Sequence, residues 1–132
     1  MLNVLVVDDS LIIRRNLKKM LIEMGCNVVA EASNGQEAVV LYAKHSPDVV
    51  TMDITMPIMT GIESLKKIKR NHSDAKVIMI TSHGQEELVM EAISSGAKGY
   101  ILKPITMDKL LKVFKKVFPD VQIKAPNMAE LL

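Results

Sequence analysis

The sequence predicts an α/β protein with one parallel β-sheet of five strands and helices on both faces of the sheet. Five short apolar segments alternate with five segments of helical periodicity, an order typical of parallel strands joined by right-handed crossovers. The short segments are apolar almost throughout, as strands buried on both faces are. Five strand–helix units are too few for an eight-stranded barrel.

The predicted strands are short runs rich in β-branched residues, bounded by polar or turn-forming residues. Their lengths of six residues or fewer are usual for strands. They cover residues 3–7, 27–31, 48–53, 76–81 and 99–102.

The first three predicted helices carry their own start signals. Ser10 is a candidate N-cap for a helix whose apolar residues recur at i, i+4, i+7, i+8 and i+11, and Gly25 ends it. Asn34 opens the second helix, near residues 36–44. Thr60 and Glu63 have the spacing of a capping box and open the third, which ends near residue 70.

The last two helices complete the alternation. The fourth covers residues 85–95 and ends at Gly96, and the fifth covers residues 107–118 and ends at Pro119. Their apolar spacing predicts the inward-facing side chains. These are Leu88, Val89, Ala92 and Ile93 in the fourth helix, and Leu110, Leu111, Phe114 and Val117 in the fifth.

Composition bounds the possible functions. Of the 132 residues, 48% are apolar and 24% are charged, which excludes disorder for the bulk of the chain. A chain of this length forms one domain that buries about two-thirds of its surface on folding. The net charge is only +2 and aromatic residues make up 3% of the chain, so nothing favours nucleic-acid binding.

The cysteine content and the hydropathy of the chain indicate the cellular compartment in which the protein works. Cys26 is the only cysteine, which excludes an internal disulfide and a cysteine metal cluster. No apolar run approaches the ~18 residues of a membrane span. The first apolar run ends at Asp8-Asp9 and does not form a signal-peptide core. We therefore expect a cytoplasmic protein without membrane insertion.

Polar residues stand where the predicted strands end. Asp8 and Asp9 follow the first strand, Asp53 ends the third, Thr81 ends the fourth, and Lys103 follows the fifth. Because ligands bind outside the carboxyl ends of the strands in an open parallel sheet, we expect these side chains to converge on one edge.

Each of these residues also has an ordinary explanation. Acidic residues such as Asp8-Asp9 favour the positive end of a helix dipole, threonines such as Thr81 are common in strands, and lysines such as Lys103 are usually on the surface. Taken together, the residues at the strand ends indicate a binding site. Three clustered carboxylates repel one another and raise each other's pKa, and a divalent cation removes that repulsion. Oxygen ligands suit Mg²⁺, beside which a carboxylate can attack a phosphoryl group.

The complete set resembles the receiver domain of bacterial two-component response regulators. The resemblance is carried by Asp8-Asp9, Asp53 with Met56-Pro57 and Gly61, Thr81, and Lys103-Pro104. It covers residues 1–118, which we predict to be the receiver domain, and leaves residues 119–132 as a C-terminal tail or linker stub. It implies a doubly wound, flavodoxin-like sheet with strand order 2-1-3-4-5. Residues 53–57 and 96–100 are most similar to stand-alone members that serve chemotaxis.

The resemblance implies a metal site and a phosphoacceptor. Asp53 is expected to accept the phosphoryl group. Asp9 and Asp53 are expected to bind Mg²⁺ directly and Asp8 through water, with the backbone carbonyl of Thr55 as a further ligand.

The resemblance also implies the switch residues. Lys103 pairs with the phosphoryl group, and the Lys103–Pro104 bond is expected to be cis. Thr81 moves to donate a hydrogen bond to a phosphoryl oxygen, and Tyr100 then turns inward. Thr55 and His83 flank the attacking water and tune the phosphoryl lifetime.

The implied function is a phosphorylation switch in a two-component phosphorelay. A histidine kinase donates the phosphoryl group, and the phosphorylated protein binds a partner, which in chemotaxis is the flagellar motor switch. A phosphatase is a further expected partner. The protein is not predicted to be an enzyme, since it catalyses only its own phosphotransfer and autodephosphorylation. We expect a monomer, with dimerisation left open.

Several alternatives remain open from the sequence. The chain is alternatively a receiver domain cut from a longer regulator with a DNA-binding or enzymatic output domain. An aspartate-nucleophile phosphatase needs a second Asp two residues after the nucleophile, where Thr55 stands. A flavodoxin needs a phosphate-binding loop after the first strand, where Asp8-Asp9 would repel phosphate. A receiver that signals without phosphate is disfavoured by the intact acidic set and Lys103.

Overall fold

The computed structural model describes residues 1–125 and contains one parallel five-stranded sheet. Its strands lie in the order β2-β1-β3-β4-β5, and every neighbouring pair is parallel. The predicted fold class and strand order are confirmed. The strands are β1 (Asn3–Val7), β2 (Asn27–Ala32), β3 (Val49–Asp53), β4 (Val77–Thr81) and β5 (Gly99–Leu102).

Five helices cover the two faces of the sheet, and their ends lie within two residues of the predicted ones. α1 and α5 pack on one face, and α2, α3 and α4 pack on the other. Within residues 1–125, no helix is long and apolar enough to cross a bilayer. The helices are α1 (Leu11–Glu23), α2 (Gly35–His45), α3 (Gly61–Asn71), α4 (Glu86–Ser94) and α5 (Met107–Val117).

The interior strand β1 shows why the apolar runs fold as strands that are buried on both faces. Val4 and Val6 point into the core beneath α1 and α5, whereas Leu5 and Val7 point into the core beneath α2 and α3. All four are at most 1% exposed. Since successive side chains of a strand point to opposite faces, an unbroken apolar run fills both cores at once.

Side-chain caps fix where most helices begin. The side chains of Ser10, Asn34, Thr60 and Thr106 each accept a hydrogen bond from the backbone N–H three residues later, which satisfies one free donor of each helix end. Within the described chain, α4 is the helix that begins without such a bond, at Gln85.

The prediction that Leu88 and Ile93 face inward is wrong. Leu88 is 38% and Ile93 is 44% exposed, while Ala92 is buried and Val89 is half-buried. At 100° per residue, Leu88 and Ile93 lie about 140° apart on opposite sides of the apolar stripe. Only the centre of that stripe packs on the sheet, so the apolar contacts of α4 with the core are made mainly by Val89 and Ala92.

The chain after α5 folds back on the domain. Ile123 packs against the core beneath α1 and α5, and the backbone N–H of Lys124 donates to the carbonyl of Met24 at 3.1 Å. That bond satisfies a free carbonyl at the end of α1. The remainder of the predicted tail, residues 126–132, lies outside the described residues.

Candidate functional site

Three carboxylates meet at the carboxyl edge of the sheet. Asp8 and Asp9 follow β1, and Asp53 ends the neighbouring strand β3. One carboxylate oxygen from each lies within 4.8 Å of the others. Asp8 and Asp53 are buried, at 1% and 6% exposure, whereas Asp9 is exposed. The cluster is therefore a set of oxygen donors that is open to solvent on the side of Asp9.

Asp8 is held from several directions. Its Oδ1 accepts a hydrogen bond from the Ser10 N–H at 2.9 Å, and its backbone carbonyl accepts one from Arg14 Nη1 at 2.7 Å. Arg14 is itself paired with Glu31 on β2 at 3.3 Å. Within the described chain, the buried Asp8 Oδ2 has no hydrogen-bond partner. This oxygen keeps its capacity to bind a cation or a water bound to one.

Lys103 supplies the positive charge of the site. Its Nζ lies 3.3 Å from Asp8 Oδ2 and 3.5 Å from Asp53 Oδ1. The first of these contacts is an ion pair that lacks the geometry of a hydrogen bond. The Lys103–Pro104 peptide bond is cis, and the Lys103 N–H donates to the Thr81 carbonyl at 2.7 Å. One ammonium group faces three carboxylates, so the cluster keeps an excess of negative charge.

The surroundings raise the pKa of Asp53 from 3.8 to about 6. Burial is the largest cause, because it disfavours the charged form, and the Asp8 carboxylate adds repulsion. Lys103 opposes both effects, and Asp9 adds a smaller upward contribution. The Asp53 carboxylate is thus destabilised near neutral pH in the absence of a further cation.

A glycine allows the loop after β3 to lie close to Asp53. A Cβ atom on Gly61 would collide with the Asp53 backbone carbonyl oxygen. Gly61 also donates its N–H to the Ile54 carbonyl at 2.8 Å. The backbone at the start of α3 therefore lies in direct contact with the end of β3, and this contact fixes the position of the loop that carries Thr55.

Thr81 is linked to Thr55 through Gln85, a residue that the sequence analysis did not identify. The Thr81 hydroxyl lies 3.1 Å from Gln85 Oε1, and Gln85 Nε2 donates to Thr55 Oγ1 at 2.8 Å. Gln85 Oε1 also accepts from the Ser82 N–H at 2.7 Å. A glutamine at the start of a helix is usually an unremarkable surface residue, so the sequence contains no signal for this bridge.

Tyr100 and His83 lie beside the acidic cluster rather than within it. A cleft of about 490 Å³ between α4 and β5 is lined by Thr81, His83, Met90 and Tyr100, among others. Tyr100 is 52% exposed, and His83 is also exposed. The structure thus brings Asp8, Asp9, Asp53 and Lys103 together and places Thr81, His83 and Tyr100 in the adjoining cleft.

The residues present fit a hard divalent cation. Mg²⁺ binds through one or two carboxylates and keeps several waters, and the cluster offers three carboxylates with one side open to solvent. Asp8 Oδ2 has no hydrogen-bond partner and the pKa of Asp53 is raised, and both observations indicate negative charge that a cation would balance. An ammonium beside such a site can pair with an incoming phosphoryl group.

Comparisons with known proteins agree with this geometry. Residues 4–115 match the family described as the response regulator receiver domain. The chain is 48% identical over 113 residues to the chemotaxis protein CheY of Bacillus subtilis, covering 86% of this chain and 94% of that protein. It is 44% identical over 114 residues to CheY of Thermotoga maritima, covering 86% and 95%. It also resembles a chain in the crystal structure of the CheX-CheY-BeF3-Mg+2 complex from Borrelia burgdorferi, with a TM-score of 0.85, 41% identity and 89% coverage of each chain.

Proposed function

The chain belongs to the response regulator receiver domain family, and we propose that it is a switch activated by phosphorylation of Asp53. One observation carries the proposal. The buried Asp53 carboxylate stands between two further carboxylates and the Lys103 ammonium, 3.5 Å away. This arrangement provides a nucleophile, oxygen ligands for a metal ion and a cation for the phosphoryl oxygens within one small site.

The residues of the cluster support a role for Mg²⁺. Asp9, Asp53 and the Thr55 backbone carbonyl would hold the ion, with Asp8 acting through water. When bound, the ion neutralises negative charge that gathers on the transferring phosphoryl group. Lys103 supplies a second positive charge from the protein itself.

Phosphoryl transfer forms one bond at Asp53 and breaks one in the donor. An Asp53 oxygen bonds to phosphorus while the bond from phosphorus to the donor nitrogen of a phosphohistidine breaks, which leaves an acyl phosphate on Asp53. The buried position of Asp53 limits the access of water to that bond. We propose that Thr55 and His83, both exposed near the site, tune how fast water removes the group.

The added charge is the signal. A phosphoryl group carries about −1.5 to −2 charges and draws the Thr81 hydroxyl toward it. Tyr100 then turns from its exposed position into the cleft between α4 and β5. The face made by α4, β5 and α5 changes shape, and a partner that binds the changed face more tightly shifts the equilibrium toward it.

We propose chemotaxis as the pathway, with a histidine kinase as the donor and the flagellar motor switch as the partner. The similarity to chemotaxis proteins named CheY supports this assignment. A phosphatase is a further proposed partner, since the related Borrelia burgdorferi protein was solved in complex with CheX. We assign residues 1–118 to the receiver domain, which is consistent with the family match over residues 4–115.

Intact-mass spectrometry after incubation with acetyl phosphate tests the proposal. The wild type is expected to gain one phosphoryl group only when Mg²⁺ is present, and Asp53→Asn is expected to gain none. Asp74→Asn, a change of an exposed aspartate outside the cluster, is the matched control and should behave as the wild type. An unmodified wild type that also fails to bind beryllofluoride, a stable phosphoryl mimic, would contradict the proposal.

A further inference from the structure

The side chain of Gln85 joins the switch hydroxyl of Thr81 to the loop after Asp53. Its Oε1 lies 3.1 Å from Thr81 Oγ1, and its Nε2 lies 2.8 Å from Thr55 Oγ1. Thr55 and Gln85 are 30 residues apart in sequence, so this bridge ties the loop after β3 to the loop after β4.

The orientation of the Gln85 amide follows from its partners. The Ser82 backbone N–H can only donate, and it lies 2.7 Å from Gln85 Oε1. The amide oxygen therefore faces Ser82, which directs the amide nitrogen to the Thr55 hydroxyl as a donor. Thr81 has a single hydroxyl proton, and Gln85 Oε1 and the Ser82 carbonyl are its two acceptors here, at 3.1 and 3.3 Å.

The start of α4 has few other restraints, of which one is the bond from the Gly84 N–H to Glu86 Oε1 at 3.4 Å. Gln85 stands at the N-cap of α4 but makes no side-chain capping bond, because its amide is turned toward the site. Gly84 has a φ of +88°, and nothing lies within 4 Å of the position that a Cβ would take. α4 buries a single residue, Ala92. The bonds of Gln85 are thus a large part of what fixes the start of α4.

We propose that Gln85 is a positioning residue that restrains the Thr81 hydroxyl and opposes the switch. The inference rests on the proposed function, in which Thr81 donates its proton to a phosphoryl oxygen. That proton has one destination at a time, so the bond to Gln85 competes with the bond to the phosphoryl group. Thr55 strengthens the restraint, because it holds the far end of the same amide.

Removing the amide should make activation easier. A net hydrogen bond of ordinary strength corresponds to roughly a two- to tenfold change in an equilibrium. Gln85→Ala is therefore expected to bind beryllofluoride, at saturating Mg²⁺, roughly two- to tenfold more tightly than the wild type does. Binding of Mg²⁺ alone should change less than binding of beryllofluoride, since Gln85 hydrogen-bonds to the Thr55 side chain but to none of the three carboxylates.

Isothermal titration of wild type and variants tests this inference. Gln36→Ala is the matched control, because Gln36 is an exposed glutamine in the first turn of α2. Gln85→Met keeps the volume of the side chain without its amide and should bind beryllofluoride as tightly as Gln85→Ala. Thr55→Val removes only the far end of the bridge and should give a smaller gain. Unchanged affinity in both Gln85 variants would overturn the inference.

A double-mutant cycle separates positioning from a general effect on structure. In a Thr81→Val background, Gln85→Ala should give no gain, because the hydroxyl that it restrains is absent. A gain equal to that in the wild type would show that Gln85 does not act through Thr81. If the proposed function itself is wrong, the result is different, because the wild type then binds no beryllofluoride at all.

Discussion

The raised pKa of Asp53 predicts that Asp53→Asn stabilises the protein when divalent cations are removed. A buried carboxyl whose pKa is higher in the folded than in the unfolded state favours folding in its protonated form. That contribution is fully present below about pH 3.8, the unfolded value, and is lost as the pH rises through about 6. At pH 7.5 the ionised Asp53 therefore weakens the native state relative to acidic pH.

The size of the effect follows from the shift. Between 3.8 and about 6, at 1.36 kcal/mol per pKa unit, the ionised group costs about 3 kcal/mol. The amide of Asn carries no charge but also gives up the pairing with Lys103. We therefore expect a net gain of roughly 1–3 kcal/mol at pH 7.5, and a smaller gain at pH 5, where the native carboxyl is largely protonated.

Urea unfolding in EDTA at pH 5 and at pH 7.5 measures this difference. Asp74→Asn, the exposed control, should change the free energy of unfolding by no more than about 0.5 kcal/mol. Added Mg²⁺ should stabilise the wild type by mass action and leave Asp53→Asn almost unaffected. A destabilised Asp53→Asn protein, or a gain larger at pH 5 than at pH 7.5, would show that the ionised Asp53 does not weaken the native state.

Three further predictions concern the same site. Lys103→Met should slow phosphorylation by acetyl phosphate at least about tenfold, because it removes a positive charge that faces the phosphoryl group, and Mg²⁺ binding should remain. A time course by mass spectrometry measures the rate, and an unchanged rate would contradict this role of Lys103. Gly61→Ala should lower the free energy of unfolding by roughly 1–3 kcal/mol, since the new Cβ collides with the Asp53 carbonyl. Urea unfolding measures the loss, and an unchanged free energy of unfolding would contradict the close contact. The affinity for Mg²⁺ should fall as the pH drops below about 6, because a proton competes with the metal ion for the Asp53 carboxylate. Titration calorimetry across that pH range should find that the protein takes up a proton when it releases the metal ion. An affinity that does not depend on pH would argue against Asp53 as a ligand.

Much of the fold was predictable because local and global signals agree. The strand β1 is apolar on both faces because it lies between two other strands and helices cover both faces of the sheet, and Asn34 and Thr60 cap the helices that their sequence positions suggested. The convergence of Asp8 and Asp53 follows from the parallel order of the strands alone. These features depend on periodicity and topology, which a sequence displays directly.

The rest depends on contacts that no periodicity displays. Leu88 and Ile93 are exposed because only the narrow strip of α4 that contains Val89 and Ala92 packs on the core. The bond between Lys124 and Met24 depends on the path of the chain after α5. The Gln85 bridge requires a loop geometry that brings Thr55 and Thr81 to the two ends of one amide. Such side-chain pairings follow from the folded shape and could not be derived before it.

Chemical trapping of the modified residue shows whether Asp53 is the phosphoacceptor. The protein is incubated with acetyl phosphate and Mg²⁺, treated with borohydride, which reduces an aspartyl phosphate to homoserine, and digested for tandem mass spectrometry. We expect homoserine at position 53 alone, and none when Mg²⁺ is replaced by EDTA. Reduction at Asp8 or Asp9, or the same yield without Mg²⁺, would show that Asp53 is not the Mg²⁺-dependent phosphoacceptor.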